Sequence, residues 1–238
     1  MRSRHSVRTD YDPARHLSPS DLEDILEAAR WAPTPHNMQN FEIVIVDDPA
    51  LLGEAGEIPV TVSPLFLSEN LPQVAPSVHE LRRRRTGILG TNFPPAWLDP
   101  EAWGDIGSDE FRHTLADDLQ GCPTLLVVLY DESRRAPASV GDVLGFMGLG
   151  CVLENMWLAA QELGLSMQVL ATMASPEVES SVKELLGVPA PLRIAFGARL
   201  GVPLASPTLG VRVRRDIEDF AYRNDYGRRV VVSAIGVR

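Results

Sequence analysis

Apolar residues first recur at helical spacing after Ser18-Pro19-Ser20-Asp21, where Leu22, Ile25, Leu26 and Ala29 form one stripe. A serine N-cap, a proline in the first turn and an acidic side chain three residues after the cap mark a helix start. Pro33 and Pro35 end the stripe and open a polar loop through Asn40. Proline has no amide to donate and disfavours helix in the residue before it. Phe41 to Val46 then runs short, apolar and β-branched, which predicts a buried strand closed by the turn Asp47-Asp48-Pro49.

From about Gly53 to Gly121 the pattern weakens around prolines 59, 64, 72, 76, 94, 95 and 100, which predicts an inserted, partly helical cover. Regularity returns at Thr124 to Tyr130, a second strand, and at Val143 to Leu163, a long apolar helix stopped by Gly164 as its C-cap. Met167 to Ala171 predicts a third strand, Pro176 to about Leu186 a helix before Gly187, and Leu192 to Leu200 a fourth strand. Asp216 to Tyr222 predicts a short helix and Val230 to Ile235 a last strand. Alternating strands and helices without an internal repeat predict one α+β domain over residues 1–238, built in three layers. The last strand stands far from the others along the chain, which predicts pairing at the sheet edge of a second subunit.

A net charge of -10 and a pI near 5.0 exclude a general nucleic-acid or anionic-membrane binder, since the long-range field repels polyphosphate. Any anion site must be local. Lys183 is the sole lysine, so the basic charge is arginine, whose planar fork suits bidentate phosphate contacts. Cys122 and Cys151 have no metal-ligand spacing and are expected as free thiols, with no metal site. The N-terminus is polar where a signal peptide needs an apolar stretch. The longest uncharged apolar run, Val143 to Leu153, is 11 residues against the ~18 to 20 of a membrane span. The expectation is a cytoplasmic protein.

No phosphate-binding loop, Gly-x-Ser-x-Gly or His-Glu-x-x-His is present. Gly145, Gly148 and Gly150 lack dinucleotide-fingerprint spacing and lie inside the long helix, where small residues allow close packing. Three clusters carry more. In Arg4-His5-Ser6-Val7-Arg8, alternation puts Arg4, Ser6 and Arg8 on one side of an extended segment. The loop Pro33 to Asn40 gathers amide and hydroxyl groups ahead of a buried strand, and Arg212-Val213-Arg214-Arg215 leads into Asp216. Taken alone, either arginine cluster is a solvated surface feature.

The order of the motifs resembles the FMN-dependent nitroreductase family over most of the chain. Ala28-Ala29-Arg30-Trp31-Ala32-Pro33-Thr34 is similar to that family's Ala-Ala-x-x-Ala-Pro-Ser, and Asn37-Met38-Gln39-Asn40-Phe41 to its Asn-x-Gln-Pro-Trp. Gly150 to Ala160 with Gly164-Leu165-Ser166 resembles a Gly-x-x-x-Gln-Asn-x-x-x-Ala-Ala helix followed by Gly-Leu-Gly, and Arg214 through Asn224-Asp225-Tyr226-Gly227 resembles the closing segment. Asn40, Phe41, Glu154 and Ser166 replace the usual proline, tryptophan, glutamine and glycine.

The resemblance implies a central, mostly antiparallel sheet flanked by helices, and a homodimer with FMN at the subunit interface. It implies ping-pong hydride transfer from NAD(P)H through flavin N5 to a small acceptor such as a nitroaromatic or quinone. Carried over residue by residue, it gives the FMN phosphate and ribityl chain to Arg4, His5, Ser6, Arg212 and Arg214. Arg8 falls at the pyrimidine edge, Thr34 and Asn37 lie in the polar loop by the cofactor, and the backbone of Thr172 and Met173 faces the ring. Two alternatives remain open: a specialised reaction on the same fold, such as dehydrogenation, dehalogenation or flavin turnover, and flavin binding without turnover. His16, His36, His79 and His113 are expected as structural or exposed. Arg82 to Arg85 is expected as a solvated helix face, with recognition of an NADPH 2'-phosphate as the sharper option. Phe93, Trp97 and Trp103 either stack on substrate or pack the cover.

Overall fold

The computed structural model of the chain describes residues 3–105, 111–206 and 210–231. The chain forms two compact units, Met1–Val60 with Arg112–Thr208, and Thr61–Phe111 with Leu209–Arg238. Of the segment 53–121, residues 53–60 and 112–121 fall in the first unit and 61–111 in the second, together with the C-terminal tail.

The first unit is a three-layer α+β sandwich. In chain order it holds α1 (Pro19–Arg30), β1 (Phe41–Val46), α2 (Pro49–Gly56), α3 (Leu115–Leu119), β2 (Thr124–Asp131), α4 (Val143–Glu162), β3 (Ser166–Leu170), α5 (Pro176–Leu186) and β4 (Leu192–Gly201). The four strands pair antiparallel in the order β1-β2-β4-β3. Ser18 caps α1 as expected: its Oγ accepts from Asp21 N at 3.1 Å while its own N–H donates to Asp21 Oδ2 at 3.3 Å. The helix stops at Arg30, three residues before Pro33.

β2 is continuously apolar from Leu125 to Leu129 because both of its faces are covered there. Leu125, Val127 and Leu129 join the core shared with α2, α3 and α5. Leu126 and Val128 join the core shared with α1 and α4. Pairing of β2 with β4 shifts between Val128 and Leu129, whose partners are Phe196 and Ile194. The extra residue flips the following side chains, so Ile194 serves the first core and Phe196 the second. By length and composition Val140–Glu162 would suffice to cross a membrane. Here Leu149, Val152, Met156 and Ala160 are buried against the sheet and α1.

Two glycines of β4 make room for what lies on the sheet. A Cβ on Gly197 would stand 2.1 Å from Met173 Sδ, and one on Gly201 would stand 2.9 Å from the Tyr11 ring. Arg199, between them, is fully buried. On the outer side of the same core, Glu179 takes a two-pronged contact from Arg193 (2.7 and 2.8 Å) and accepts from Ile194 N. That guanidinium holds the carboxyl below the usual carboxylate range.

The second unit has its own small core of Val62, Leu67 and Phe111, with Trp97 and Trp103 packed against it. It contains short helices at Pro64–Asn70 and Val78–Arg84 and little extended structure. The helix expected at 216–222 is a single turn, Ile217–Asp219, capped by Asp216. Of the tail strand expected at 230–235, positions 232–235 lie outside the described residues. Val230 and Val231 are not in a strand, although Val230 N donates to Ala221 O.

Candidate functional site

The N-terminal segment is tied down by backbone and by one buried cation. Val7 is buried in the sheet core, and its N–H reaches Met167 O on β3 at 3.5 Å. Tyr11 N donates to Gln120 O and Asp12 N to Val202 O, both at 2.9 Å. Arg199 donates to Val7 O (3.1 Å), Leu119 O (2.9 Å), Gln120 Oε1 (2.5 Å) and Gln168 Oε1 (2.6 Å), and its guanidinium lies 4.5 Å from the Tyr11 ring centroid. One guanidinium thus joins the N-terminal segment, the end of α3, β3 and β4. Burial pushes the Tyr11 phenol up and the Cys122 thiol up to about 12, and lowers the Arg199 guanidinium.

With Val7 turned inward, its neighbours are placed by the alternation of an extended chain. Ser6 is half-buried and Arg8 exposed. Arg4 lies along α4, with Nε 3.2 Å from Glu154 Oε2 and the guanidinium 4.5 Å from the Trp157 ring centroid. Gln161, one turn further, donates to Ser3 Oγ. Glu154, Trp157 and Gln161 are spaced as one helix face. His5 directs Nδ1 to Ser3 O at 2.8 Å, which leaves Nε2 buried and without a hydrogen-bond partner among the described residues. An imidazole nitrogen buried without a hydrogen-bond partner costs free energy, so such a position favours a polar ligand.

The polar loop meets the other end of α4. A Cβ on Gly148 would stand 3.3 Å from Pro35 Cδ, so here the helix glycine does permit close approach, whereas Gly150 faces open space. The loop backbone is held in unusual conformations: φ is 51° at His36, 54° at Asn37 and 45° at Gln39. Non-glycine residues in the left-handed region cost up to roughly 1 to 3 kcal/mol each and persist where surrounding contacts fix them. Thr34 supplies some: its Oγ1 accepts from Gln39 N at 3.1 Å and its carbonyl from Asn37 N at 3.0 Å. Asn37 is exposed, with Oδ1 accepting from Gln39 Nε2. Asn40, which stands where the resembling family carries proline, is buried and sends Nδ2 to Arg134 O at 3.4 Å.

β3 runs out into the turn Ala171–Ala174. Met173 packs its side chain on Gly197 and is fully buried, so only its backbone is left for a ligand, while Thr172 is half-buried. The first unit therefore carries Arg4, His5, Ser6, Arg8, Thr34, Asn37, Thr172 and Met173 on the N-terminal segment, the loop on α4 and the turn after β3.

Arg212 and Arg214 belong to the second unit and are exposed. Arg214 Nη1 donates to Val213 O at 2.7 Å. Their segment is anchored at Asp216 and Asp219, which pair with Arg85, and Asp219 also pairs with Arg229. Glu80 accepts from Arg83 and Arg84, and those bonds hold its carboxyl at about 2. Three of the arginines in 82–85 are thus committed to carboxylates of their own unit. Trp97 packs edge-on to Phe66 at 6.1 Å, Phe93 lies 6.2 Å from Trp97, and Trp103 Nε1 donates to Trp97 O. These aromatics pack their own unit's core. His16, His36 and His79 are exposed, and His113 faces Asp118 at 3.6 Å.

The donors offered by the first unit are guanidinium, imidazole, hydroxyl, amide and backbone N–H groups, a set suited to a phosphate monoester and a polar heterocycle. Sequence reasoning missed Arg199, whose signal was a charge following the apolar run Ile194 to Ala198 inside a strand, and the contacts of Arg4 with Glu154 and Trp157.

Comparison with known proteins identifies the family and the fold. The profile described as the Nitroreductase family matches residues 1–202. An NADPH-dependent oxidoreductase of Staphylococcus haemolyticus is 23% identical over 95% of this chain and 72% of its own length. A nitroreductase of Bacteroides fragilis, solved with bound FMN, is similar with a TM-score of 0.55 at 22% identity, covering 90% of this chain and 91% of that one. A BluB-like flavoprotein of Clostridium difficile gives a TM-score of 0.57 at 19% identity, covering 93% and 95%. The solved structures show the shared fold, and the matched profile, which spans most of the sequence, shows that this chain belongs to the nitroreductase family.

Proposed function

We propose that the protein is a cytoplasmic FMN-dependent oxidoreductase that draws electrons from NAD(P)H and passes them to a small organic acceptor. The observation that carries this reading is the orphaned, buried His5 Nε2 beside Arg4 and Ser6, on a segment fixed by Arg199. A phosphate monoester carries nearly two charges and three strong acceptor oxygens. Arg4, Arg212 and Arg214 would bind it through charge-assisted bonds, with Ser6 and His5 beside them as further polar contacts. Thr34 and Asn37 would take the polar chain and ring edge, and the Thr172–Met173 turn would offer backbone donors.

Held by these residues, FMN would supply two-electron redox chemistry between a nicotinamide and the second substrate. Arg8 would set the field there, since a cation at the ring edge stabilises negative charge that reduction brings. The two substrates would use one face in turn. A second copy of this chain is the proposed partner. On the polar-loop end of α4, Val143, Phe146 and Met147 are 65%, 49% and 59% exposed, and Trp31 is 72% exposed. Exposed apolar surface of this extent on a core helix is a mark of an interface.

Anaerobic stopped-flow mixing of the flavin-loaded protein with NADH and with NADPH tests the reading. At least one nucleotide should bleach the flavin band rapidly. Arg8→Ala should slow that bleaching about tenfold, a lower effect than at a buried oxyanion donor because Arg8 is exposed, while FMN affinity changes less than threefold. Failure of both nucleotides to reduce the flavin would remove the reductase reading.

A further inference from the structure

The contact between Arg4 and Glu154 sets two requirements of the site against each other. Glu154, Trp157 and Gln161 hold Ser3 and Arg4 against one face of α4, and Glu154 does so with a full negative charge 3.2 Å from the guanidinium Nε. Glu154 occupies the position at which the resembling family carries glutamine, a neutral side chain of nearly the same shape. A phosphate that engages Arg4 must share it with this carboxylate, and at such separations like charges repel appreciably even where water screens them. The side chains are 25% and 43% exposed, so the effect is moderate.

We infer that Glu154 is a built-in counter-anion that lowers the affinity of Arg4 for a phosphate monoester, so that this chain holds FMN more loosely, and discriminates it less from riboflavin, than a glutamine there would allow. The inference rests on the proposed FMN reading and deepens it. It assigns Glu154 an affinity-setting role through Arg4, with no part in hydride transfer. The stacking on Trp157 and the bond of Gln161 to Ser3 keep the segment in place when the charge is removed.

The experiment is equilibrium titration of flavin-free protein with FMN and, separately, with riboflavin, for the wild type, Glu154→Gln, Glu154→Ala and Arg4→Ala. Both Glu154 variants should bind FMN about 3- to 10-fold more tightly, with riboflavin unchanged and with the gain shrinking at high salt. Unchanged or weaker FMN binding by Glu154→Gln overturns the inference, as does equal tightening of FMN and riboflavin. If Arg4→Ala weakens FMN alone while Glu154→Gln changes nothing, the Glu154 role fails and the phosphate site stands. If the wild type does not prefer FMN to riboflavin and Arg4→Ala alters neither, the phosphate site fails with it.

Discussion

Replacing Arg199 by methionine is expected to destabilise the flavin-free protein by about 3 to 5 kcal/mol. The substitution keeps much of the side-chain volume but deletes the donors that satisfy Val7 O, Leu119 O, Gln120 Oε1 and Gln168 Oε1. Each buried acceptor left unpaired costs about 1 to 3 kcal/mol, part of which is offset because a cation is no longer buried. For a chain of this length the loss corresponds to a fall in melting temperature of roughly 6 to 20 °C. Arg199→Lys keeps the charge and some of the donors and should lose about half as much. Hydrogen exchange should rise first at Val7 and Tyr11, the residues through which the N-terminal segment docks. A melting temperature within 2 °C of the wild type, taken as roughly the resolution of such a scan, would mean that the segment is held by something other than Arg199.

The second large effect is expected at the other end of the chain. Arg214→Ala should weaken FMN binding by about 10- to 100-fold, the equivalent of roughly 1.5 to 3 kcal/mol for one charge-assisted contact. Riboflavin binding should change little, because it lacks the group that Arg214 would hold. Arg214 is exposed and donates to the carbonyl of its neighbour Val213, so its loss should leave the melting temperature of the flavin-free protein within about 1 to 2 °C. If Arg4 and Arg214 serve one phosphate, the double variant should be non-additive for FMN and additive for riboflavin. Unchanged FMN affinity in Arg214→Ala would return the arginine to the surface role that its exposure alone suggests.

Much of the first unit was legible in the sequence because its elements announce themselves locally. Ser18-Pro19-Ser20-Asp21 folds into the capping box that its spelling predicts, and the apolar run at 124–130 is the strand buried on both faces. The glycines after α4 and α5 fall where those helices stop. What escaped depends on contacts distant in sequence. Arg199 reads as an ordinary strand charge, like Arg193, until Gly197 and Gly201 are seen to make room for Met173 and Tyr11 on either side of it. The partner of Arg4 lies 150 residues away on α4, and no local pattern links them. The division of the middle segment was also hidden, since short proline-bounded turns carry weak periodicity and the tail joins them through ion pairs such as Arg85 with Asp219. In the candidate site, the chemical type of each side chain could be read in advance. The strained loop backbone and the orphaned nitrogen of His5 could not.

Whether this chain holds FMN by its phosphate is decided by titrating the flavin-free wild-type protein. Saturable uptake of about one FMN per chain is expected, with a yellow protein-bound spectrum and clear preference over riboflavin. A protein that stays colourless at saturating FMN, or takes up riboflavin equally well, would contradict it.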